Sequence, residues 1–187
     1  MPAQSAEQLW KAYNETTDTQ GASYQTRWFG QQNNPQEVQA LTDAILAGTK
    51  TATTTPLDTF TAEQVAIPQV GDYNVLLNGD MKPVAIIKTV VSELIPFYRI
   101  SAEHAYHEGE GDRSIGDWRK RKTDEFTPTL EEHGKNLSSD TPMVSEVLKS
   151  FTARINNNDD GLRRMSWAFL MPLGRLAVCA GRYCRQI

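Results

Sequence analysis

The chain has 187 residues, the length of one ordinary domain with room for an appendage, and two full domains do not fit it. With 39% hydrophobic and 22% charged residues it can bury a core and solvate itself, which excludes a collagen-like or wholly disordered polymer. The net charge of −4 is uneven: residues 153–187 hold six arginines against two aspartates, so residues 1–152 are left with 13 basic and 21 acidic groups and would repel a long polyanion unless cations cluster locally.

Met1 to Ser5 shows no basic region followed by an apolar run, so no secretory signal is read there and a cytoplasmic location is expected. From Ser5 to about Thr16, Leu9, Trp10 and Tyr13 recur at helical spacing behind a Ser cap. Ser23 to Gly30 alternates loosely and predicts a short strand or connector. Pro35 opens a helix in which Val38, Leu41, Ile45 and Leu46 share a face, with Gly48 just past its end. Lys50 to Thr55 is β-branched and strand-prone, and Leu57 to Val65 suits one short helix before Pro68. Gly71 to Leu77 and Lys82 to Val91 predict a hairpin, with Asn78-Gly79-Asp80 supplying the positive φ of its turn. Val90 to Phe97 continues β-like, a short helix starts at Ser101 and a longer one at Ser114, with Ile115, Trp118, Lys122 and Phe126 on one face, and Pro128 is expected to end or kink the longer one, although Thr127-Pro128 also suits the start of a following helical turn. Met143 to Ile155 closes the series as a strand.

These signals divide the chain into an N-terminal helix and connector (1–22), a central domain (23–152) and a C-terminal extension of unknown role (153–187). The order of elements predicts an α+β domain: a small antiparallel sheet or β-barrel with flanking helices. In the extension, Met165 to Val178 is apolar but too short to cross a bilayer, leaving an interfacial helix or a docking segment as its readings. Both cysteines, Cys179 and Cys184, lie there; their C-x4-C spacing is half a metal site at most, with no second pair nearby.

Three clusters could carry chemistry. Gly48-Thr49-Lys50-Thr51-Ala52-Thr53 follows a helix terminus. A C-cap glycine before a Thr-rich strand explains it structurally; functionally, a desolvated Lys50 could act as base toward a threonine hydroxyl. On a regular strand residues 50 and 53 face opposite ways, so convergence requires a bend or bulge. The second cluster, His104 to Ser114, contains Glu108-Gly109-Glu110-Gly111-Asp112-Arg113. It reads as a solvated turn with a helix cap, or as a loop whose carboxylate donates a proton or holds a substrate amine. Calcium is a weaker reading because the EF-hand spacing is absent, and His104, His107 and His133 form no zinc spacing. Third, Arg119-Lys120-Arg121-Lys122 beside Trp118 is the densest basic run of the body, either a solvated helix face or a phosphate or RNA contact.

Taken together, these residues resemble an ASCH domain, a family similar in fold to the PUA domains of RNA-modifying proteins. The hexapeptide Gly48 to Thr53 is similar to the family's Gly-x-Lys-x-x-Ser/Thr motif. Trp28-Phe29-Gly30, Val70-Gly71-Asp72, Ile95-Pro96-Phe97, the Glu108 to Ser114 run, Trp118 and Met143-Val144 extend the likeness over about residues 24–152. The resemblance implies a small β-barrel with a cleft beside the Lys-bearing segment. It also implies amidohydrolase activity on N4-acylcytidine-type nucleosides, with Lys50 as base, Thr53 as nucleophile and Glu108 as proton donor. Other members suggest RNA binding or ribonuclease activity, and a non-catalytic sensor of a modified nucleoside is a third reading. Gly48, Thr51, Arg113, Trp118, Arg119, Arg121 and Lys122 are then the candidate contacts to substrate or RNA. No cofactor or metal is implied, the partner is a small nucleoside or RNA and not a membrane, and a homodimer stays open. Lys122 and Glu125-Phe126 stand where larger members carry a His and paired aromatics, a departure from the family pattern.

Overall fold

The computed structural model describes residues 5–151 apart from 18 and 20, so the expectations for residues 153–187, including the two cysteines and the apolar stretch, lie outside the described residues. Helix α1 (Ala6–Asn14) begins with a reciprocal cap: Ser5 Oγ accepts from the Gln8 N–H, and the Gln8 side chain accepts from the Ser5 N–H. Strand β1 (Tyr24–Arg27) leads to α2 (Pro35–Leu46), capped by Asn34 and opened by Pro35. Then come β2 (Ala52–Pro56), α3 (Leu57–Glu63), β3 (Tyr73–Leu77), β4 (Pro83–Pro96), a 3-10 turn (Phe97–Arg99), α4 (Ala102–Glu108), α5 (Ile115–Glu132) and β5 (Pro142–Phe151).

The strands form one five-stranded sheet in the order β1-β3-β4-β5-β2. This corrects the expectation of a closed, all-antiparallel barrel. Strand β1 runs parallel to β3, and among the described residues β1 and β2 end the ladder without pairing with each other. The chain between β1 and β3 passes through two helices and a strand, the kind of long crossover that parallel pairing needs. The sheet is nonetheless strongly curled. Strands β1 and β5 stand three ladder steps apart, roughly 14 Å across a flat sheet. Arg27 of β1 still reaches Glu146 of β5 through two hydrogen bonds of 2.9 and 2.7 Å. Across a flat sheet that contact would take both side chains at nearly full stretch over two intervening strands; curling shortens the gap, and the face they share is the concave one.

Strand periodicity assigns Arg27, Leu76, Ile87, Thr89, Glu146, Leu148 and Thr53 to that concave face, through the pairs Arg27 with Leu76, Thr89 with Leu148, and Thr53 with Glu146. Its apolar part packs with Phe29 and with Ile45 of α2. On the convex face, α1 covers Val75 and Ile86 with Leu9, Trp10 and Tyr13. Helices α4 and α5 cover Met143 around the fully buried Trp118.

Three local expectations change. The two predicted β segments around residue 90 are one strand, β4, with a bulge between Thr89 and Val91. Helix α5 continues through Pro128: that position is exposed, and so is Asp124, the residue whose carbonyl loses its partner, on the solvent side of the helix. In the β3–β4 turn the positive φ falls on Met81, not Gly79. Gly79 is needed for space, because a Cβ there would lie 2.3 Å from the Pro35 carbonyl oxygen.

Candidate functional site

Lys50 owes its position to the end of α2. Gly48 takes φ +74°, and the backbone N–H groups of Thr49 and Lys50 both return to the Ala44 carbonyl. Strand β2 begins only at Ala52, so the strict alternation that would separate residues 50 and 53 does not hold at Lys50. The Lys50 side chain is 2% exposed. Its Nζ lies 2.8 Å from Glu110 Oε1, 3.3 Å from the Glu108 carbonyl oxygen and 4.0 Å from Glu108 Oε2, and 5.9 Å from the centre of the Phe29 ring.

Glu108 ends α4 and is fully buried. Lys122 Nζ and His104 Nε2 each approach its carboxylate to 3.4 Å, on different oxygens, but neither oxygen accepts a hydrogen bond of ordinary geometry. Burial pushes the Glu108 carboxyl up, but His104, Lys122, Lys50 and Thr54 outweigh it and hold the pKa down at about 2. Burial likewise opposes the Lys122 ammonium, and the carboxylates of Glu108, Glu125 and Glu110 more than offset it, raising its pKa. Glu110 is lowered on the same pattern, burial being overcome chiefly by Lys50 and Lys122. Its other oxygen takes a hydrogen bond from Arg121 Nη1 at 3.0 Å. The glycines flanking Glu110 seat the loop closely. A Cβ on Gly109 would lie 2.4 Å from the Thr49 carbonyl oxygen, and one on Gly111 2.0 Å from Asp117 Oδ2.

Thr53 belongs to a second buried polar group. It pairs across the ladder with Glu146, which is fully buried, held by both Arg27 nitrogens, and accepts from Thr89 Oγ1 at 3.2 Å. The Arg27 guanidinium lies 4.8 Å from the centre of the Phe29 ring, the ring that Lys50 also approaches. Phe29 therefore lies close to both groups. Of the three residues nominated as catalytic, Lys50 and Glu108 come together, and Thr53 sits in the neighbouring Arg27–Glu146 cluster.

The other candidates disperse. Gly48 is an exposed helix end, and Thr51 Oγ1 lies 3.1 Å from His107 Nδ1. Arg113 stacks on Tyr106 at 5.2 Å. Trp118 cannot be a surface contact, because it is the centre of the α4–α5 core, 5.5 Å from Phe97. The basic run is not a cationic patch either. Arg119 donates to the carbonyls of Phe97, Tyr98 and Ile100. Arg121 is held by Asp117 and Glu110, and Lys122 by Glu108 and Glu125. Sequence reasoning missed Arg27 and Glu146. The signal for Glu146 was present: it shares the strand parity of Val144 and Leu148, so a charge sits at a position patterned to be buried.

Among the described residues, clefts open at two places on the surface. One of about 390 Å³ is lined by Thr51, His104, His107 and Ser145, the other, of about 300 Å³, by residues 23–28, Phe60 and Asn74. Neither is lined by Lys50, Thr53 or Glu108. Among the described residues no group of three or more His, Cys, Asp or Glu side chains is placed to hold a metal ion, and no helix is long and apolar enough to cross a membrane.

With that geometry in place, comparison with known proteins adds three findings. The ASCH domain family matches residues 26–151. Among solved structures the chain is similar to an ASCH domain from Lactobacillus crispatus JV V101, with a TM-score of 0.71 and 24% identity over 77% of this chain and 92% of that one. It is also similar to a protein from Enterococcus faecalis V583, with a TM-score of 0.66 and 24% identity over 78% and 87%. No curated protein matches it.

Proposed function

Since the chain belongs to the ASCH domain family, an RNA-related family of PUA-like fold, we propose that it is an amidohydrolase removing the acyl group from N4-acylcytidine-type nucleosides. The observation that carries this reading is Lys50, 2% exposed and set against the carboxylates of Glu108 and Glu110. A buried lysine among acids on a strand-entry bend, with a threonine three residues on, suits proton transfer better than phosphate binding.

In the proposed reaction the Thr53 Oγ bonds to the acyl carbon as the C–N bond breaks. The hydroxyl proton is taken up by Lys50, and a proton passes to the leaving amine through Glu108. With a pKa of about 2, Glu108 is a carboxylate at neutral pH, so it can donate only a proton it has first received. In this reading the carrier is Lys50, whose Nζ lies 4.0 Å from Glu108 Oε2 and passes on the proton it takes from Thr53. Water then attacks the acyl-threonine by the same path and releases the acid, restoring the hydroxyl.

The RNA reading needs a free basic face, and Arg119, Arg121 and Lys122 are all engaged within the fold. The test is hydrolysis of N4-acetylcytidine, followed by the ultraviolet change as cytidine forms. Lys50→Ala and Thr53→Ala are expected to lower turnover by roughly 10²–10⁴-fold with circular dichroism unchanged. A wild-type chain that binds the nucleoside saturably without turnover would select the sensor. RNA binding that weakens steeply with salt, with no nucleoside turnover, would restore the RNA reading.

A further inference from the structure

The cleft of about 300 Å³ beside β1 is close in size to the smaller known ligand cavities. Its position is informative. Gln25 pairs with Asn74 and Arg27 with Leu76, which puts Gln25, Asn74 and Arg27 on the concave face that also carries Glu146 and Thr53. Arg27 belongs to both places: it lines the cleft and holds the carboxylate opposite Thr53.

The lining selects a class of ligand. Trp28 and Phe60, both half-buried, supply aromatic surface for a flat ring. Asn74, 7% exposed, offers a neutral amide that is both donor and acceptor, which matches the paired donor and acceptor on the edge of a nucleobase. The charges argue against a phosphate. Glu63 and Asp72 are exposed at this cleft, and the only cation lining it, Arg27, is already neutralised by Glu146. We infer that this cleft, between β1 and the segment that follows β2, is a binding site for an uncharged nucleobase or nucleoside, held by Asn74 and stacked on Phe60 and Trp28, and that it rejects the phosphorylated form. The inference rests on the nucleoside reading above and deepens it by giving the base a place at the β1 edge beside Arg27, which holds the carboxylate opposite Thr53.

The test uses cytidine, which cannot be turned over, titrated into the full chain by calorimetry. Saturable binding is expected. Asn74→Ala and Phe60→Ala, each checked for folding by circular dichroism, should weaken it about tenfold or more. Cytidine 5′-monophosphate should bind at least about tenfold less tightly, and Glu63→Gln with Asp72→Asn should narrow that gap. Three results would overturn the inference: cytidine affinity unchanged in both folded variants, a monophosphate that binds as tightly as cytidine, or hydrolysis of N4-acetylcytidine without detectable cytidine binding. Cytidine binding that follows these variants while N4-acetylcytidine is left intact would support the site and overturn only the enzymatic reading.

Discussion

Glu108 and Glu146 are both carboxylates with no exposed surface, yet they are satisfied in opposite ways. Glu146 receives two arginine hydrogen bonds at 2.7 and 2.9 Å and one from Thr89, a forked and directional arrangement. Glu108 sits among Lys122, His104 and Lys50 at 3.4 to 4.0 Å, with neither oxygen accepting a shaped hydrogen bond. The first arrangement holds strands together; the second keeps acceptor capacity in reserve. A group that must exchange protons needs the second kind of environment, and a group that must keep still needs the first.

The sharpest way to break this comparison is to remove one partner of the tight pair. Arg27→Ala leaves Glu146 as a buried charge with Thr89 as its one remaining side-chain donor among the described residues, and the expected loss of stability is about 3–5 kcal/mol by urea unfolding. The double variant Arg27→Met, Glu146→Leu should recover most of it, since the charge that makes the single change costly is gone. A single variant as stable as the wild type would show that Glu146 is not held by Arg27 in solution.

Glu108→Gln should cost less, about 1–3 kcal/mol, because Lys50 keeps Glu110 and Lys122 keeps Glu125 as partners. Its signature lies in the pH dependence. The Glu108 carboxyl falls from 4.5 to about 2 on folding, so its stabilisation is complete above about pH 4.5 and is lost as pH falls toward 2. Its size is on the order of 3 kcal/mol. Glu108→Gln should therefore flatten the fall in stability between about pH 4.5 and 2, measured by denaturant unfolding at each pH. An identical acid limb in variant and wild type would place Glu108 outside the charge basket.

Most of the local structure was legible in the sequence, for physical reasons that can be named. The caps at Ser5, Asn34 and Ser114 and the apolar periodicity of α1 and α2 are local signals, and the helices start where those signals stand. The parallel pairing of β1 joins residues some fifty positions apart, as in Tyr24 with Tyr73, and the curl of the sheet rests on a contact more than a hundred apart, Arg27 with Glu146, so no local window of sequence contains either. Lys50 and Glu108 were legible as residues through motif resemblance, but their shared burial with Lys122 was not. Lys122 did carry a local sign of turning inward, since helical spacing puts it on one face with Ile115, Trp118 and Phe126, but nothing local names the carboxylates it meets there. Pro128 does not end α5, because whether a helix tolerates a proline depends on which face meets water, and that is decided by packing rather than by the residue itself.

The same lesson about the basic run makes the smallest prediction. Arg119 looks in sequence like a phosphate contact, but its guanidinium donates to the carbonyls of Phe97, Tyr98 and Ile100 at 3.3, 2.8 and 3.4 Å, tying α5 to the 3-10 turn after β4. These are partly exposed neutral acceptors, so Arg119→Ala should cost only about 1 kcal/mol in urea unfolding. Lys120, exposed on the same helix, should cost nothing measurable when changed to Ala. If the run served RNA instead, both changes would weaken RNA retention and reduce its salt dependence by about one phosphate each, with little difference between them. A stability loss confined to Arg119, with retention unchanged in both, is what a cation spent on the fold requires.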